Sequence, residues 1–251
     1  MRVALIQLDL AWEDAAANHV RADRRLREAA ACGARLAVLP EMFCSGFTMN
    51  GACAEEEGGP TETFLRDTAE GLGIWILAGL PMRPGPRNVA ALVSPDGRVA
   101  RYTKIHPFSF SDENLHYQAG DQVQRWDVEG LRVTPFICYD LRFPEPFRAT
   151  ADDTDLYVVI ASWPERRRAH WSTLLRARAI ENQAFVAGVN RVGTGGGLGY
   201  AGASVLVDPW GEAIVEGAGQ ESVLTAEVEP RVVSEARAAF PPLRDRKPFR
   251  S

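Results

Sequence analysis

Leu131-Arg132-Val133-Thr134-Pro135-Phe136-Ile137-Cys138-Tyr139-Asp140-Leu141-Arg142-Phe143-Pro144-Glu145 is a mostly apolar run that ends on one cysteine and passes at once into a polar segment containing a proline. The run reads as a buried strand and the proline as a helix start. Cys138 therefore stands at a strand-to-helix corner. There the first peptide N–H groups of the helix lack partners and carry partial positive charge, which favours a thiolate and can hold an oxyanion. Two other segments end the same way: Leu36-Ala37-Val38-Leu39-Pro40 runs into Glu41, and Val99-Ala100-Arg101-Tyr102-Thr103 runs into Lys104. A carboxylate, an ammonium and a thiol thus follow three expected strands, where open sheets place their sites.

Strand-like and helical patterns alternate around these segments. Val3 to Leu8 reads as a buried strand, and Ala15 to Ala31 as an amphipathic helix ended by Gly33. Leu36 to Leu39 is a second short strand, Thr61 an N-cap for a helix through Leu72, and Ile74 to Gly79 a third strand. Val89 to Val93 turns at Ser94-Pro95-Asp96-Gly97, and Ser204 to Val207 at Asp208-Pro209-Trp210-Gly211. The likeness of these two hairpins fits either a duplicated half-unit or shared turn chemistry. Strands over Leu156 to Ala161 and Phe185 to Val189 flank a helix from about His170 to Asn182. The alternation, with antiparallel hairpins, makes an α/β protein with mixed sheets.

At 251 residues, with no Pro/Gly/Ser-rich linker, the chain is expected to form one domain, residues 1–251. Hydrophobic residues make up 46% and charged residues 24%, ordinary values for a globular protein. The net charge of −5 has no basic block behind it, and Arg166-Arg167-Arg168 reads as the solvated face of a helix start rather than a nucleic-acid patch. No stretch is long and apolar enough to span a bilayer, and Val3-Ala4-Leu5-Ile6 follows the first residues without a signal peptide. The expectation is a cytoplasmic protein with neither membrane nor nucleic acid as partner, its Cys32, Cys44, Cys53 and Cys138 being reduced thiols.

Leu39-Pro40-Glu41-Met42-Phe43, Tyr102-Thr103-Lys104-Ile105-His106 and Ile137 to Glu145, in that order, resemble the three signature segments of the nitrilase, or carbon-nitrogen hydrolase, superfamily. The likeness continues through Ala161-Ser162-Trp163-Pro164, Ala179-Ile180-Glu181-Asn182-Gln183 and Asn190-Arg191-Val192-Gly193, so it covers nearly the whole chain. Within the superfamily, Ser45-Gly46-Phe47, Asn114-Leu115-His116-Tyr117 and Ser162-Trp163-Pro164 with His170-Trp171 are most similar to the bacterial omega-amidase branch. The resemblance implies an αββα four-layer sandwich with mixed sheets that forms a homodimer. It further implies a cofactor-free hydrolase acting on a small amide, such as the omega-amide of 2-oxoglutarate or 2-oxosuccinate. An N-carbamoyl amine or amino-acid hydrolase is the alternative within the class, and a noncatalytic interaction protein the alternative outside it.

Amide hydrolysis by a thiol needs a proton acceptor, donors for a tetrahedral oxyanion, and an acid that makes ammonia the leaving group. By resemblance Cys138 is the nucleophile, Glu41 the general base and then acid, and Lys104 the cation that stabilises the oxyanion beside the N–H of Tyr139. A lysine within a few ångströms also keeps a buried glutamate ionised. The superfamily places a second glutamate between its lysine and its cysteine; Glu113 fits that place, with Asp112 the neighbouring alternative. Phe47 and Trp163 are candidate walls of an acyl pocket, although aromatic residues commonly serve as core. Glu145 reads as a first-turn residue favoured by the helix dipole, and Asp140 and Arg142 as a salt bridge bracing the cysteine turn.

Other chemistries find less support. Gly193-Thr194-Gly195-Gly196-Gly197-Leu198-Gly199 lacks the Gly-Lys-Ser/Thr ending of a phosphate loop and reads as a surface loop. His19, His106, His116 and His170 are dispersed, without metal-ligand spacing, so no metal is expected. A cysteine-histidine pair using His116 or His170 stays open, because distance in sequence does not fix distance in space.

Overall fold

The structure, a computed structural model, describes residues 1–247. Its strands are β1 (Arg2–Gln7), β2 (Leu36–Val38), β3 (Trp75–Met82), β4 (Arg87–Val93), β5 (Val99–Thr103), β6 (Trp126–Val128), β7 (Leu131–Ile137), β8 (Leu156–Ala161), β9 (Phe185–Asn190), β10 (Val192–Gly195), β11 (Leu198–Ala201), β12 (Val205–Val207), β13 (Ala213–Glu216) and β14 (Ser222–Glu227). Its α-helices are α1 (Ala15–Ala31), α2 (Pro60–Leu72), α3 (Glu113–His116), α4 (Pro144–Ala149), α5 (Arg168–Asn182) and α6 (Pro230–Ala239).

Twelve strands form two six-stranded sheets, ordered β14-β1-β2-β3-β4-β5 and β13-β12-β9-β8-β7-β6. In the first, β1, β2 and β3 run parallel while β4, β5 and the edge strand β14 pair antiparallel. The second repeats this scheme: β7, β8 and β9 are parallel, and β12, β13 and the edge strand β6 antiparallel. The two hairpins singled out in the sequence occupy equivalent places, β4–β5 and β12–β13. Shared turn chemistry alone does not account for that, so the half-unit is repeated at the level of topology.

Period-two side-chain alternation explains how the first sheet buries both faces. Val3, Leu5, Leu36, Val38, Leu77, Ala90 and Leu92 join the core shared with the second sheet. Ala4, Ile6, Ala37, Ile76, Ala78, Val89 and Ala91 pack instead with Leu26 of α1 and Leu65 and Ala69 of α2. Trp171, Leu175 and Ala179 of α5 cover the other side of the second sheet. The layers are therefore helix, sheet, sheet, helix.

Local rules set the helix limits. The Asp14 carboxylate accepts the Ala17 N–H at 3.0 Å and caps α1, and Gly33 at φ +80° turns the chain away from its end. Thr61 does not cap α2. Pro60 occupies the first turn behind Gly59, and the Thr61 hydroxyl donates instead to Glu55 at 2.6 Å. The glycine-rich segment is also not a plain surface loop. Its flanks pair as β10 and β11 around Gly196 and Gly197, at φ +56° and +76°.

Candidate active site

Strand direction gathers the site at one edge of the sandwich. Glu41 lies just past the C-terminal end of β2, and Lys104 follows β5, which two antiparallel steps from β3 point in the same direction. Asn88, near the start of the reversed strand β4, reaches that edge too, and its carbonyl accepts the Lys104 N–H at 2.9 Å. From the second sheet Cys138 follows β7 and Ser162 follows β8.

All four charged or nucleophilic candidates meet there. Lys104 Nζ lies 3.0 Å from Glu41 Oε1 and 2.8 Å from Glu113 Oε2, and all three side chains are buried. Asn88 Nδ2 donates to Glu41 Oε1 at 2.7 Å and to Glu113 Oε1 at 2.9 Å. Backbone N–H groups complete the cage, Ser162 donating to Glu41 Oε2 at 2.8 Å and Phe108 to Glu113 Oε2 at 2.5 Å. Charge buried this deeply persists only when paired and hydrogen-bonded, and one ammonium here serves two carboxylates. Asp112, the alternative to Glu113, is exposed.

Cys138 has φ +47°, a left-handed conformation that costs a non-glycine residue about 1–2 kcal/mol and turns its side chain sharply off β7. A short 3-10 turn, Cys138–Arg142, follows, with Pro144 and Glu145 opening α4. Burial and the Glu41 carboxylate push the thiol well above its ordinary range, against the opposing pull of Lys104. The expected thiolate is therefore disfavoured, because desolvation and the neighbouring carboxylate outweigh the pull of the lysine. Burial also works against the Lys104 ammonium, but Glu113 and Glu41 more than offset it and hold the proton on.

The expected Asp140–Arg142 salt bridge is absent. Asp140 Oδ2 accepts from the Tyr102 hydroxyl at 2.8 Å and the Ile137 N–H at 3.0 Å, and Oδ1 accepts the His106 N–H at 2.9 Å. It thereby ties the cysteine turn to the segment carrying Lys104. Arg142 instead lies over aromatic rings, its guanidinium carbon 4.8 Å from the Trp163 centroid and 5.9 Å from that of Tyr139. His170 meets Arg142 and His116 is exposed, so neither partners Cys138.

Cys138 opens into a cavity of about 290 Å³ whose walls include Phe47, Tyr139, Trp163 and Tyr200. Arg166 and Arg167 also line it; Arg166 and Arg168 are exposed at the start of α5, as the sequence implied, while Arg167 is half-buried. Asn88 and Tyr200 were not singled out in the sequence, and Ser162 and Arg167 were quoted there without a role at a site. Only Asn88 carried a usable signal, as a polar residue opening the otherwise apolar Val89–Val93 run.

The sequence profile of carbon-nitrogen hydrolases matches residues 2–238. This chain belongs to the carbon-nitrogen hydrolase family. It is 39% identical over 254 aligned residues to the omega-amidase YafV of Escherichia coli, covering 100% of this chain and 98% of that one. It is 32% identical to the 2-oxoglutaramate amidase of Bacillus subtilis, with 95% of each covered. The solved structure of a CN-hydrolase superfamily protein from Xanthomonas campestris superposes with a TM-score of 0.95 at 39% identity, covering 100% of this chain and 98% of that one. The two mixed sheets and their helices are the architecture of that superfamily.

Among the described residues no group of three or more His, Cys, Asp or Glu side chains is arranged to hold a metal, and no helix is long and apolar enough to cross a membrane.

Proposed function

We propose that this chain is a thiol-dependent omega-amidase, hydrolysing the terminal carboxamide of a small dicarboxylic monoamide of the 2-oxoglutaramate or 2-oxosuccinamate type. The observation that carries the reading is the Cys138 thiol set beside the buried Glu41 carboxylate, itself fixed by Lys104 and the Ser162 N–H. The names of the two relatives supply the substrate class.

Cys138 Sγ attacks the amide carbon while its proton passes to Glu41, so the sulfur becomes fully nucleophilic only as the bond forms. The oxyanion forms beside Lys104, which already carries a positive charge and needs no reorganisation, with the Tyr139 N–H as second donor. Glu41 returns the proton to the nitrogen, ammonia leaves, and a thioester remains on Cys138. Water then attacks the thioester carbon, giving its proton to Glu41, and collapse releases the carboxylate and restores the thiol. Glu113 and Asn88 hold Lys104 and Glu41 in register throughout, and Phe47 and Trp163 wall the acyl chain.

Ile180, Trp210 and Ile214 are 54%, 52% and 47% exposed, and the first two adjoin where Ile180 packs over Gly211. These side chains on α5 and the β12–β13 hairpin favour a homodimer through that face, readable by light scattering. Four unpaired cysteines fit a reducing compartment such as the cytoplasm.

The test is intact mass spectrometry after brief exposure to a panel of omega-amides, with ammonia release measured in parallel. The reading expects an acyl mass on Cys138 and ammonia in step with turnover. Ammonia release undiminished in Cys138→Ala would end it.

A further inference from the structure

Arg142, Arg166 and Arg167 bring three guanidinium groups to the cavity that exposes Cys138. Many arginines of this chain meet carboxylates, as Arg35 does Glu129, Arg101 Glu62, Arg132 Asp155 and Arg246 Asp152, although some outside the cavity do not. Among the described residues the cavity trio has no acidic partner. Like charges gathered without counterions repel, and an entering anion relieves that repulsion.

The three are held differently. Arg142 is clasped by the Trp163 and Tyr139 rings, with both terminal nitrogens 3.3 Å from His170 Nδ1. Arg166 is exposed, its guanidinium carbon 6.0 Å from the Phe110 centroid. Arg167 is half-buried against Phe108, 5.2 Å from that centroid, and its guanidinium donates no hydrogen bond to a described residue. Burial and the neighbouring Arg166 lower its pKa.

Its backbone is rigidly tied to the catalytic cluster. Ser162 N–H donates to Glu41; Trp163 N–H donates to Asn190 Oδ1 at 2.8 Å, and Asn190 Nδ2 returns a bond to the Trp163 carbonyl at 3.1 Å. Trp163 Nε1 then donates to the Arg167 carbonyl at 2.8 Å, and Arg167 N–H to the Pro164 carbonyl at 3.0 Å. Five residues after the N–H that orients Glu41, the chain thus presents a cation with its backbone already ordered, which lowers the entropy cost of capturing a charged group.

We propose that Arg167 binds the carboxylate at the far end of the amide substrate, with Arg142 and Arg166 strengthening the positive potential around it. The inference rests on the dicarboxylic-monoamide reading above and names the residue that selects for it. A planar guanidinium suits a carboxylate because it can donate two parallel hydrogen bonds. A cavity of about 290 Å³ suits a chain of four or five carbons stretched between the thiol and that anchor.

The experiment measures kcat/KM for succinamate and for 4-methylpentanamide, in which an uncharged isopropyl group replaces the carboxylate, in wild type, Arg167→Met, Arg167→Lys and Arg142→Met. Wild type should prefer succinamate. Arg167→Met should lower the ratio of the two constants at least tenfold, through KM for succinamate, and Arg167→Lys should recover part of it. A wild-type ratio in Arg167→Met, equal ratios in the Met and Lys variants, or a drop confined to Arg142→Met each overturn the assignment while leaving the omega-amide reading intact. A wild-type enzyme without preference for succinamate overturns both.

Discussion

A β-carbon on Gly79 would stand 2.5 Å from the α-carbon of Glu41 and equally close to the Met42 nitrogen. Strand β3 therefore serves as the bed on which the turn carrying Glu41 lies. Gly79 N–H donates to the Pro40 carbonyl at 3.1 Å, and its own carbonyl accepts the Phe43 N–H at 3.0 Å. Only the smallest residue lets the two backbones come this close.

Gly79→Ala should therefore damage catalysis as well as stability. Backbone against backbone leaves no flexible side chain to give way, so a loss of roughly 1–3 kcal/mol is expected on overpacking grounds. Displacement of Glu41 by a fraction of an ångström should lower kcat by about tenfold or more. Ammonia-release kinetics and urea denaturation measure the two effects, and kcat within threefold of wild type would show that Gly79 does not position the base.

Glu41→Gln should move two properties in opposite directions. Turnover should fall by about a hundredfold or more with loss of the general base. Yet the carboxylate is among the groups that push the Cys138 thiol up, so its removal should speed alkylation of Cys138 by iodoacetamide at fixed pH. Peptide mapping resolves Cys138 from the other thiols, and slower labelling in Glu41→Gln contradicts the electrostatic account.

Lys104→Met should do the reverse to the thiol. It removes the cation that opposes the upward shift, so labelling slows, and it strands two buried carboxylates, at a cost of roughly 3–5 kcal/mol. Circular dichroism during urea titration, alongside the labelling rate, checks both expectations. Unchanged stability would mean that the buried cluster is not held together by its charges.

Cys138→Gly and Cys138→Ala should both be inactive but differ in stability. At φ +47° alanine inherits the strain of the native residue, whereas glycine does not, so the glycine variant should be more stable by about 1 kcal/mol. A less stable glycine variant would place no strain at the nucleophile.

Alkaline stability provides a further test. The folded thiol of Cys138 keeps its proton at pH values where an unfolded cysteine, with an ordinary pKa of about 8.5, has lost it. Its contribution is therefore whole below about pH 8.5 and declines as pH rises towards the folded value. Between pH 8.5 and 10 the stability of wild type should fall more steeply than that of Cys138→Ala. Parallel slopes would show that the thiol is not perturbed.

The sequence by itself was enough for an α/β chain with mixed sheets and for the places of Glu41, Lys104 and Cys138 at strand ends, because these are local facts, whereas the four-layer sandwich followed only from the family resemblance. Apolar runs with period-two burial make strands wherever they lie, and Glu41, Lys104 and Cys138 each follow such a run directly. The like turns Pro-Asp-Gly and Pro-Trp-Gly left the repeated half-unit open, and only the equivalent places of the two hairpins in their sheets decided it. Thr61 was misplaced because a preceding Gly-Pro can start a helix without a side-chain cap, which left its hydroxyl to Glu55.

What only the tertiary structure decided were relations between segments distant along the chain. Whether Asp140 pairs with Arg142 or ties Tyr102 and His106 to the cysteine turn depends on the second sheet meeting the first. Asn88 bridges two glutamates because β4 runs back to the edge where β2 and β5 end. The thiol's protonation follows from burial beside Glu41, which no local window contains. Arg167 looks like part of a solvated helix start until the tertiary structure half-buries it in the wall of the cavity that Cys138 opens into. Sequence spacing sets side-chain direction along one element, whereas charge, desolvation and shape in a site arise from several elements at once.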